Sequence, residues 1–419
     1  MLIKSSSDSF QKLLILTQGA RYDVSCATSG VDRKALRGKL GNAHLPGLCH
    51  SWSSDGRCIS LLKTLMTNEC VNNCAYCINR CKNDVQRTAF VPDELARLTY
   101  EFYRRNFIEG LFLSSGIEWD ADRTMEKMVN TAKILRERYG FYGYIHMKIL
   151  PGASDNAVEE AIKIADRVSI NLELPTQESL KKLAPQKDFS QMLLTICRIN
   201  KIREDLLSWS SSLRIFGAKG GQSTQIIIGA TPDTDRQILT LSDYLYSKLK
   251  LKRVYYSAYI PINHDESLPP IAKPPLVREH RLYQADWLIR FYGFRVEELF
   301  EEGKQNLSER FDPKLVWALR NLDFFPVEIT KASLSEILRV PGIGPISARR
   351  IIKARRNGYI SFEDLEKLGV VMKRAKYFIT IRGKVYQGVD SNNLSNLESI
   401  FSGVRSLGDE RDLFEYALG

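Results

Sequence analysis

The chain has 419 residues, carries a formal net charge of +11 and is 44% hydrophobic. That length suits two or three domains with sizeable cores, and no apolar run approaches the roughly 20 residues that span a bilayer. The start, Met1-Leu2-Ile3-Lys4-Ser5, lacks a secretory apolar core, so a cytoplasmic protein without a membrane partner is expected. There its eight cysteines are ligands or reduced thiols rather than disulfides. The basic balance suits a polyanion such as nucleic acid.

Residues 1–58 form a cysteine-containing extension. Ser9 to Ala20 reads as an amphipathic helix with Phe10, Leu13, Leu14 and Leu16 on its apolar side. Cys26, Cys49 and Cys58 follow among Gly- and Ser-containing loops. They could hold an auxiliary iron–sulfur cluster or be buried free thiols, since their long spacings match no compact metal motif.

Residues 59–260 alternate between apolar strands and amphipathic helices, as parallel βαβ units do. Strands are expected at 59–66, 111–114, 144–149, 167–174, 225–229 and 253–260. Helices are expected at 92–106, 122–139, 154–165, within 177–207, and at 233–249. Right-handed crossovers would close six such strands into a partial (βα)6 barrel, an α/β fold. Barrels of this kind bind ligands at the C-terminal ends of their strands.

The first strand delivers Cys70-Val71-Asn72-Asn73-Cys74-Ala75-Tyr76-Cys77 to that end. Soft thiolates at this spacing can converge on an iron–sulfur cluster or on zinc, for which Cys81 could be a fourth ligand. Other strand ends are also polar. Ser114, Ser115, Gly116 and Glu118 end the second strand, Ser169, Asn171 and Glu173 alternate along the fourth, and Gly229 and Thr231 end the fifth. His146 and Lys148 share a face of the third. The glycine-rich stretch 217–225 lacks P-loop spacing and reads as a mobile loop over the site. Tyr255, Tyr256 and Tyr259 lie near the end of the sixth strand.

Residues 261–330 hold a proline-rich, extended linker and a helical region. Arg278 to Phe294 reads as a helix with Gly293 beyond its end. Within 331–382, Gly342, Ile343 and Gly344 separate a short helix from one opening at Pro345. A turn of this kind exposes backbone N–H groups at a helix N-terminus, which suits phosphate. Six basic residues and no acidic ones lie between Arg339 and Arg356, among them Arg349, Arg350 and Lys353. Residues 362–369 look like the opening of a second, degenerate hairpin that serves packing. Residues 383–419 form an unassigned tail.

The cysteine stretch resembles the radical S-adenosylmethionine superfamily, whose motif is C-x3-C-x-aromatic-C, with Tyr76 as the aromatic. The resemblance implies a 4Fe–4S cluster on Cys70, Cys74 and Cys77, with S-adenosylmethionine chelated by the open iron. It also implies cleavage of that cosubstrate, by one electron from a donor such as flavodoxin or ferredoxin, to a 5′-deoxyadenosyl radical. Cofactor contacts are implied for Tyr76, Ser114, Ser115, Gly116, Glu118, Ser169, Asn171, Glu173, Gly229 and Thr231, although Ser-Ser-Gly departs from the superfamily's Gly-Gly-Glu-like motif. Residues 338–352 resemble the helix–hairpin–helix family, an all-α module that grips DNA through phosphates.

Together with 22–26, 49–51, 104–116 and 278–294, the chain from about Leu14 to Ile379 resembles a family of radical S-adenosylmethionine proteins assigned to DNA modification or repair. That family is associated with a uracil-DNA-glycosylase-like partner. The expectation is therefore a radical enzyme acting on DNA. The alternatives are a radical enzyme acting on RNA, and a DNA-binding protein whose cluster is structural or redox-sensing.

Overall fold

The structure is a computed structural model that describes residues 7–20, 47–52, 58–209, 216–356, 358–389 and 397–403. Cys26 lies outside them. The chain divides into two compact units. One comprises residues 1–233 and 244–275, the other residues 234–243 and 276–419.

The first unit is built on strands β1 (Leu48–Trp52), β2 (Cys58–Leu65), β3 (Gly110–Ser114), β4 (Tyr144–Lys148), β5 (Arg167–Ser169), β6 (Gln222–Ile228) and β7 (Arg253–Ala258). They form one sheet in chain order. All neighbours from β2 to β7 run parallel, as the βαβ pattern predicts. Two features depart from expectation. An antiparallel strand, β1, pairs with β2 along one edge, from a segment that reads as loop in the sequence. The strand expected over 167–174 also stops at Ser169. The chain then rejoins β6 through a single bridge between Glu173 and Ile226, because Glu173 takes φ = 66° and breaks the extended run.

Helices α1 (Ser7–Ala20), α2 (Pro92–Arg104), α3 (Ala121–Lys133), α4 (Asp155–Ile164), α5 (Gln177–Leu183), α6 (Phe189–Trp209) and α7 (Asp235–Ser247) precede or separate these strands. Local chemistry sets their starts. Pro92 opens α2, while Asp120, Ser154 and Thr176 accept backbone N–H groups at the first turns of α3, α4 and α5. Because side chains alternate along a strand, the register sorts the sheet into two faces. Leu62, Leu111 and Ile145 form one cross-strand row, and Met147 and Val168 lie in the next row on that side. All five are fully buried.

The opposite face is polar along its upper half. Lys63, Phe112 and His146 form one row, and Lys148, Ser169 and Ser223 another. Nearer its base, Cys49, Ile59, Leu61 and Phe112 pack together with Tyr144 against them. Cys49 of β1 and Tyr255 of β7 both act electrostatically on Tyr144 of β4, whose phenol is pushed up to about 12 chiefly by burial. In a flat sheet either edge strand would stand about 14 Å from β4, three strand spacings away. The sheet is curled, with this face inside. The glycine-rich stretch before β6 lies at the N-terminal end of the strands, where Gly220 N–H donates to Asp166. It is not a loop over the strand C-termini, because a segment leading into a parallel strand joins the opposite edge.

The second unit contains α8 (Leu276–Tyr292), α9 (Pro313–Arg320), α10 (Leu334–Arg339), α11 (Pro345–Ala354), α12 (Phe362–Lys367), α13 (Met372–Ala375) and α14 (Leu397–Gly403). Its described residues are mainly helical, with a two-residue parallel ladder, β8 (Val327–Glu328) with β9 (Ile379–Thr380). Trp317 anchors its core, edge-on to Phe294, Phe324 and Phe325. Helices α10 and α11 are joined by a turn at Gly342, and α12 and α13 by one at Gly369. The two turns clasp each other: Val371 N–H donates to Gly342 O at 2.9 Å, and Ser347 Oγ to Gly369 O at 2.8 Å. Gly342 has φ = 89°, and a Cβ there would come within 2.6 Å of the Val371 carbonyl, so only glycine fits. Among the described residues no helix is long and apolar enough to cross a membrane.

The helix-facing side of the sheet is close-packed, so Leu111→Ala should destabilise the first unit by about 2–5 kcal/mol. Urea denaturation at an unchanged slope would measure it. A loss under about 1 kcal/mol would contradict the packing described for that face.

Candidate metal centre

The cysteine segment leaves the C-terminal end of β2 and has no helix or strand of its own. Its backbone groups must therefore find partners elsewhere. The next strand end supplies some. Gly116 N–H donates to Thr67 O and Val71 N–H to Ile117 O, both at 2.8 Å. Ile117 N–H also points at Cys70 Sγ at 3.5 Å. Gly116 permits this approach, since a Cβ there would lie 2.3 Å from the Glu69 carbonyl. Its role is to seat the cysteine loop.

The largest single contribution is Arg87. Its guanidinium donates to four carbonyls of the loop, those of Asn68, Asn79, Arg80 and Asn83. A second clamp comes from the stretch after β7, which reads from its prolines as a linker. Asn263 Nδ2 donates to Ala75 O at 2.7 Å and to Cys77 O at 2.9 Å. Asp265 pairs with Arg80 at 2.6 Å. A third comes from around α5, where Leu183 O accepts Ala75 N–H at 2.7 Å and Gln186 Oε1 accepts Asn73 N–H at 3.3 Å.

Held this way, Cys74 is buried and Cys70 and Cys77 are half-buried. The three thiols form one electrostatic group. Burial pushes Cys77 up to about 12, with Cys74 and Cys70 adding to the effect. Burial likewise raises Cys74. Cys81 is exposed. Among the described residues, no three His, Cys, Asp or Glu side chains gather tightly enough to grip one metal ion. A cubane cluster takes its thiolates on separate irons, and three coupled thiols on one loop are the donor set that such a cluster needs.

Cys49 and Cys58 are not brought together. In the β1–β2 ladder Cys49 pairs with Leu61 and Cys58 with Trp52. That sets them three positions apart, about 10 Å along the strands. Cys49 is buried in the apolar cluster while Cys58 is exposed.

The remaining expected residues lie at or beyond the C-terminal ends of their strands. Ser114 is buried, and its carbonyl accepts Met66 N–H at 2.8 Å. The buried hydroxyl of Ser115 has no hydrogen-bond partner, an orphan that an added polar group would satisfy. Glu118 is ion-paired with Lys127. Ser169 bonds His146 Nε2 at 2.9 Å, and Asn171 bonds Gln225 at 3.4 Å. Thr231 bonds Asp233, which also receives Thr176 at 3.2 Å. Gly229, at φ = 84°, turns the chain off β6.

Glu173 meets Lys187 at 2.8 Å, and Lys187 Nζ also donates to the Tyr76 hydroxyl at 3.3 Å. Burial holds the Tyr76 phenol well above its ordinary value, and Glu173, Cys74 and Cys77 add to the effect. Lys187 is largely buried. Burial alone would pull it down, yet the Glu173 carboxylate and the Cys74 and Cys77 sulfurs hold it above the ordinary lysine value. Arg87, Asn263, Asp265 and Lys187 carry no motif, and sequence reasoning does not find them. The nearest signal is the density of polar residues flanking the cysteine run.

In the second unit, Arg349, Arg350, Lys353 and Arg356 are exposed. Ile343, expected at a nucleic-acid surface, is instead buried, and its carbonyl accepts the buried Lys314 Nζ at 2.7 Å. Arg339 and Arg355 are also spent internally. Arg339 stacks 3.8 Å from the Phe294 ring centroid and pairs with Glu298, and Arg355 donates to the carbonyls of Ile329 and Ala332.

Arg87→Ala would strip four loop carbonyls of their donor, at about 1–3 kcal/mol for each one left buried and unpaired. The variant should melt lower and take up less iron on anaerobic reconstitution; parental iron uptake would refute the staple. The Asp265 carboxyl is held down at about 2 by Ser267 and then Arg80, against about 3.9 in an unfolded chain. A lowered folded value stabilises above the unfolded pKa, so this contribution is complete above about pH 4 and is lost as pH falls toward 2. Asp265→Asn should flatten that part of a plot of melting temperature against pH; an acid limb identical to the parent's would refute the assignment.

No family model and no curated protein matches the chain. Among solved structures it is similar to HydG, a maturase of the FeFe-hydrogenase, with TM-score 0.43 and 15% identity over 55% of this chain and 49% of that one. It is also similar to methylornithine synthase, PylB, with TM-score 0.38 and 15% identity over 87% of each chain. A third is a radical SAM methyltransferase from Sphaerobacter thermophilus, with TM-score 0.39 and 11% identity over 57% of this chain and 69% of that one. The chain thus spans about half the length of HydG.

Proposed function

We propose that the chain is a radical S-adenosylmethionine enzyme that modifies or repairs DNA. The observation that carries this reading is the C-x3-C-x2-C trio at the C-terminal end of the first parallel strand, mutually coupled and seated against Gly116 and Ile117, with the orphan Ser115 hydroxyl next in the chain. Cys70, Cys74 and Cys77 would hold a 4Fe–4S cluster, which supplies one-electron cleavage of the sulfonium cosubstrate. The chain's own residues do the rest. The Gly116 segment and Arg87 fix the thiols in place, while Ser115 offers a polar contact to the cosubstrate. The curled sheet surrounds the site with buried side chains and limits access of water.

The polymer is read from the second unit. The first turn of α11 presents backbone N–H groups beyond Gly344, and Arg349, Arg350 and Lys353 stand exposed on the same helix. That combination suits a phosphate backbone without sequence readout, as in a helix–hairpin–helix module. A base or sugar within a duplex must be extruded to reach a buried site, at a few kcal/mol. An external flavodoxin or ferredoxin would supply the electron, and a uracil-DNA-glycosylase-like protein is the expected partner.

Anaerobic reconstitution with iron and sulfide, then reduction with S-adenosylmethionine present, should yield 5′-deoxyadenosine, and Cys74→Ala should abolish it. Zinc at the loop, or a reduced cluster that never cleaves the cosubstrate, would refute the enzyme. Duplex DNA affinity should fall with salt, with a log–log slope of about −0.9 per phosphate contact. The triple Arg349→Ala, Arg350→Ala, Lys353→Ala variant should flatten that slope by two to three contacts' worth; an unchanged slope would remove α11 from the interface.

A further inference from the structure

The mechanism as described gives no task to the buried lysine beside the cysteine loop. Lys187 lies just past α5, and only 10% of its side chain is accessible. Its position is built rather than incidental. The preceding residue, Gln186, holds the loop at Asn73, and Leu183 holds it at Ala75. Its ammonium touches two groups: Glu173 at 2.8 Å and the Tyr76 hydroxyl at 3.3 Å, the latter with the ring centroid 5.9 Å away. Tyr76 stands in the loop between Cys74 and Cys77, and its phenol is coupled to both sulfurs. A chain of polar contacts thus runs from Glu173 through Lys187 to Tyr76, between two of the three thiols. The ammonium can only donate and the carboxylate only accept, so the Tyr76 hydroxyl accepts from Lys187 and keeps its own proton to offer to a thiolate.

We propose that Lys187 and Tyr76 act as positioning residues that set the reduction potential of the cluster held by Cys70, Cys74 and Cys77. The inference rests on the cluster reading above. Adding an electron raises the negative charge on the thiolate sulfurs. A hydrogen bond to a sulfur and a nearby fixed cation both favour the reduced form, and both are known levers on iron–sulfur potentials. The site is buried, so water screens the cation little. Glu173 orients Lys187 and opposes it at Cys74, but the ammonium has the larger effect on that sulfur.

The test is a potentiometric titration of the reconstituted cluster followed by electron paramagnetic resonance. Lys187→Met should make reduction at least tenfold less favourable, a shift of 59 mV to lower potential for a one-electron couple. Tyr76→Phe, which keeps the ring and removes the hydroxyl, should shift it the same way. The double variant should fall short of the sum, because both changes cut one chain. Lys187→Arg should restore most of the parental value.

Shifts under twofold in both single variants, with a cluster assembled in the parent, would overturn this inference and leave the radical reading intact. A parent that assembles no cluster would overturn both. Should Lys187→Met fail to assemble, assembly of Lys187→Arg at parental potential supports the charge. Failure of both variants would show that Lys187 acts through fit alone, and the proposal falls.

Discussion

An irregular loop that must hold three thiols has to dispose of its own backbone carbonyls. This constraint shapes the first unit. Each buried carbonyl left unpaired costs about 1–3 kcal/mol, and the cysteine segment has no ladder or helix to satisfy them. Arg87 answers with one planar, permanently charged fork spread over four carbonyls. Asn263 and the Leu183–Gln186 stretch add donors and acceptors from two other directions. The loop is therefore fixed by residues before, within and far beyond it in the chain.

The curled sheet makes these approaches possible. Successive parallel strands bring their C-terminal ends to one rim, and the rim is where Met66, Ser114, Gly116 and the stretch after β7 meet. The two faces divide the remaining work. Apolar rows pack under the helices and give the unit its stability, while the inner rows carry hydroxyl, imidazole and amide groups. Several of those groups are bonded to one another, as in the His146–Ser169 and Asn171–Gln225 pairs, while the buried Ser223 hydroxyl has no partner.

Much of this was legible in the sequence. The six parallel strands follow from apolar runs separated by amphipathic helices, and Pro92, Ser154 and Pro345 mark helix starts by local chemistry alone. The cysteine spacing marks the candidate centre for the same reason: it is local. What was hidden depends on partners distant in sequence. Leu48-Cys49-His50-Ser51-Trp52 shows little alternation and becomes a strand only because β2 has a free edge to pair. Nothing near Arg87 or Lys187 announces a role, since carbonyls are present in every residue and become specific only when folding collects them. The basic run between Arg339 and Arg356 misled in part, because charge alone does not separate Arg339, stacked on aromatic rings, from Arg349, exposed to solvent.

Glu173 sets a backbone cost against a buried ion pair. Its backbone adopts a left-handed conformation that strains a non-glycine residue by about 1–3 kcal/mol. Glycine at this position would relax the chain, yet it would strip Lys187 of its buried partner, and an uncompensated buried charge costs about 3–5 kcal/mol. A screen for thermostability would therefore keep the strained residue, because its carboxylate is worth more than the ease of its backbone.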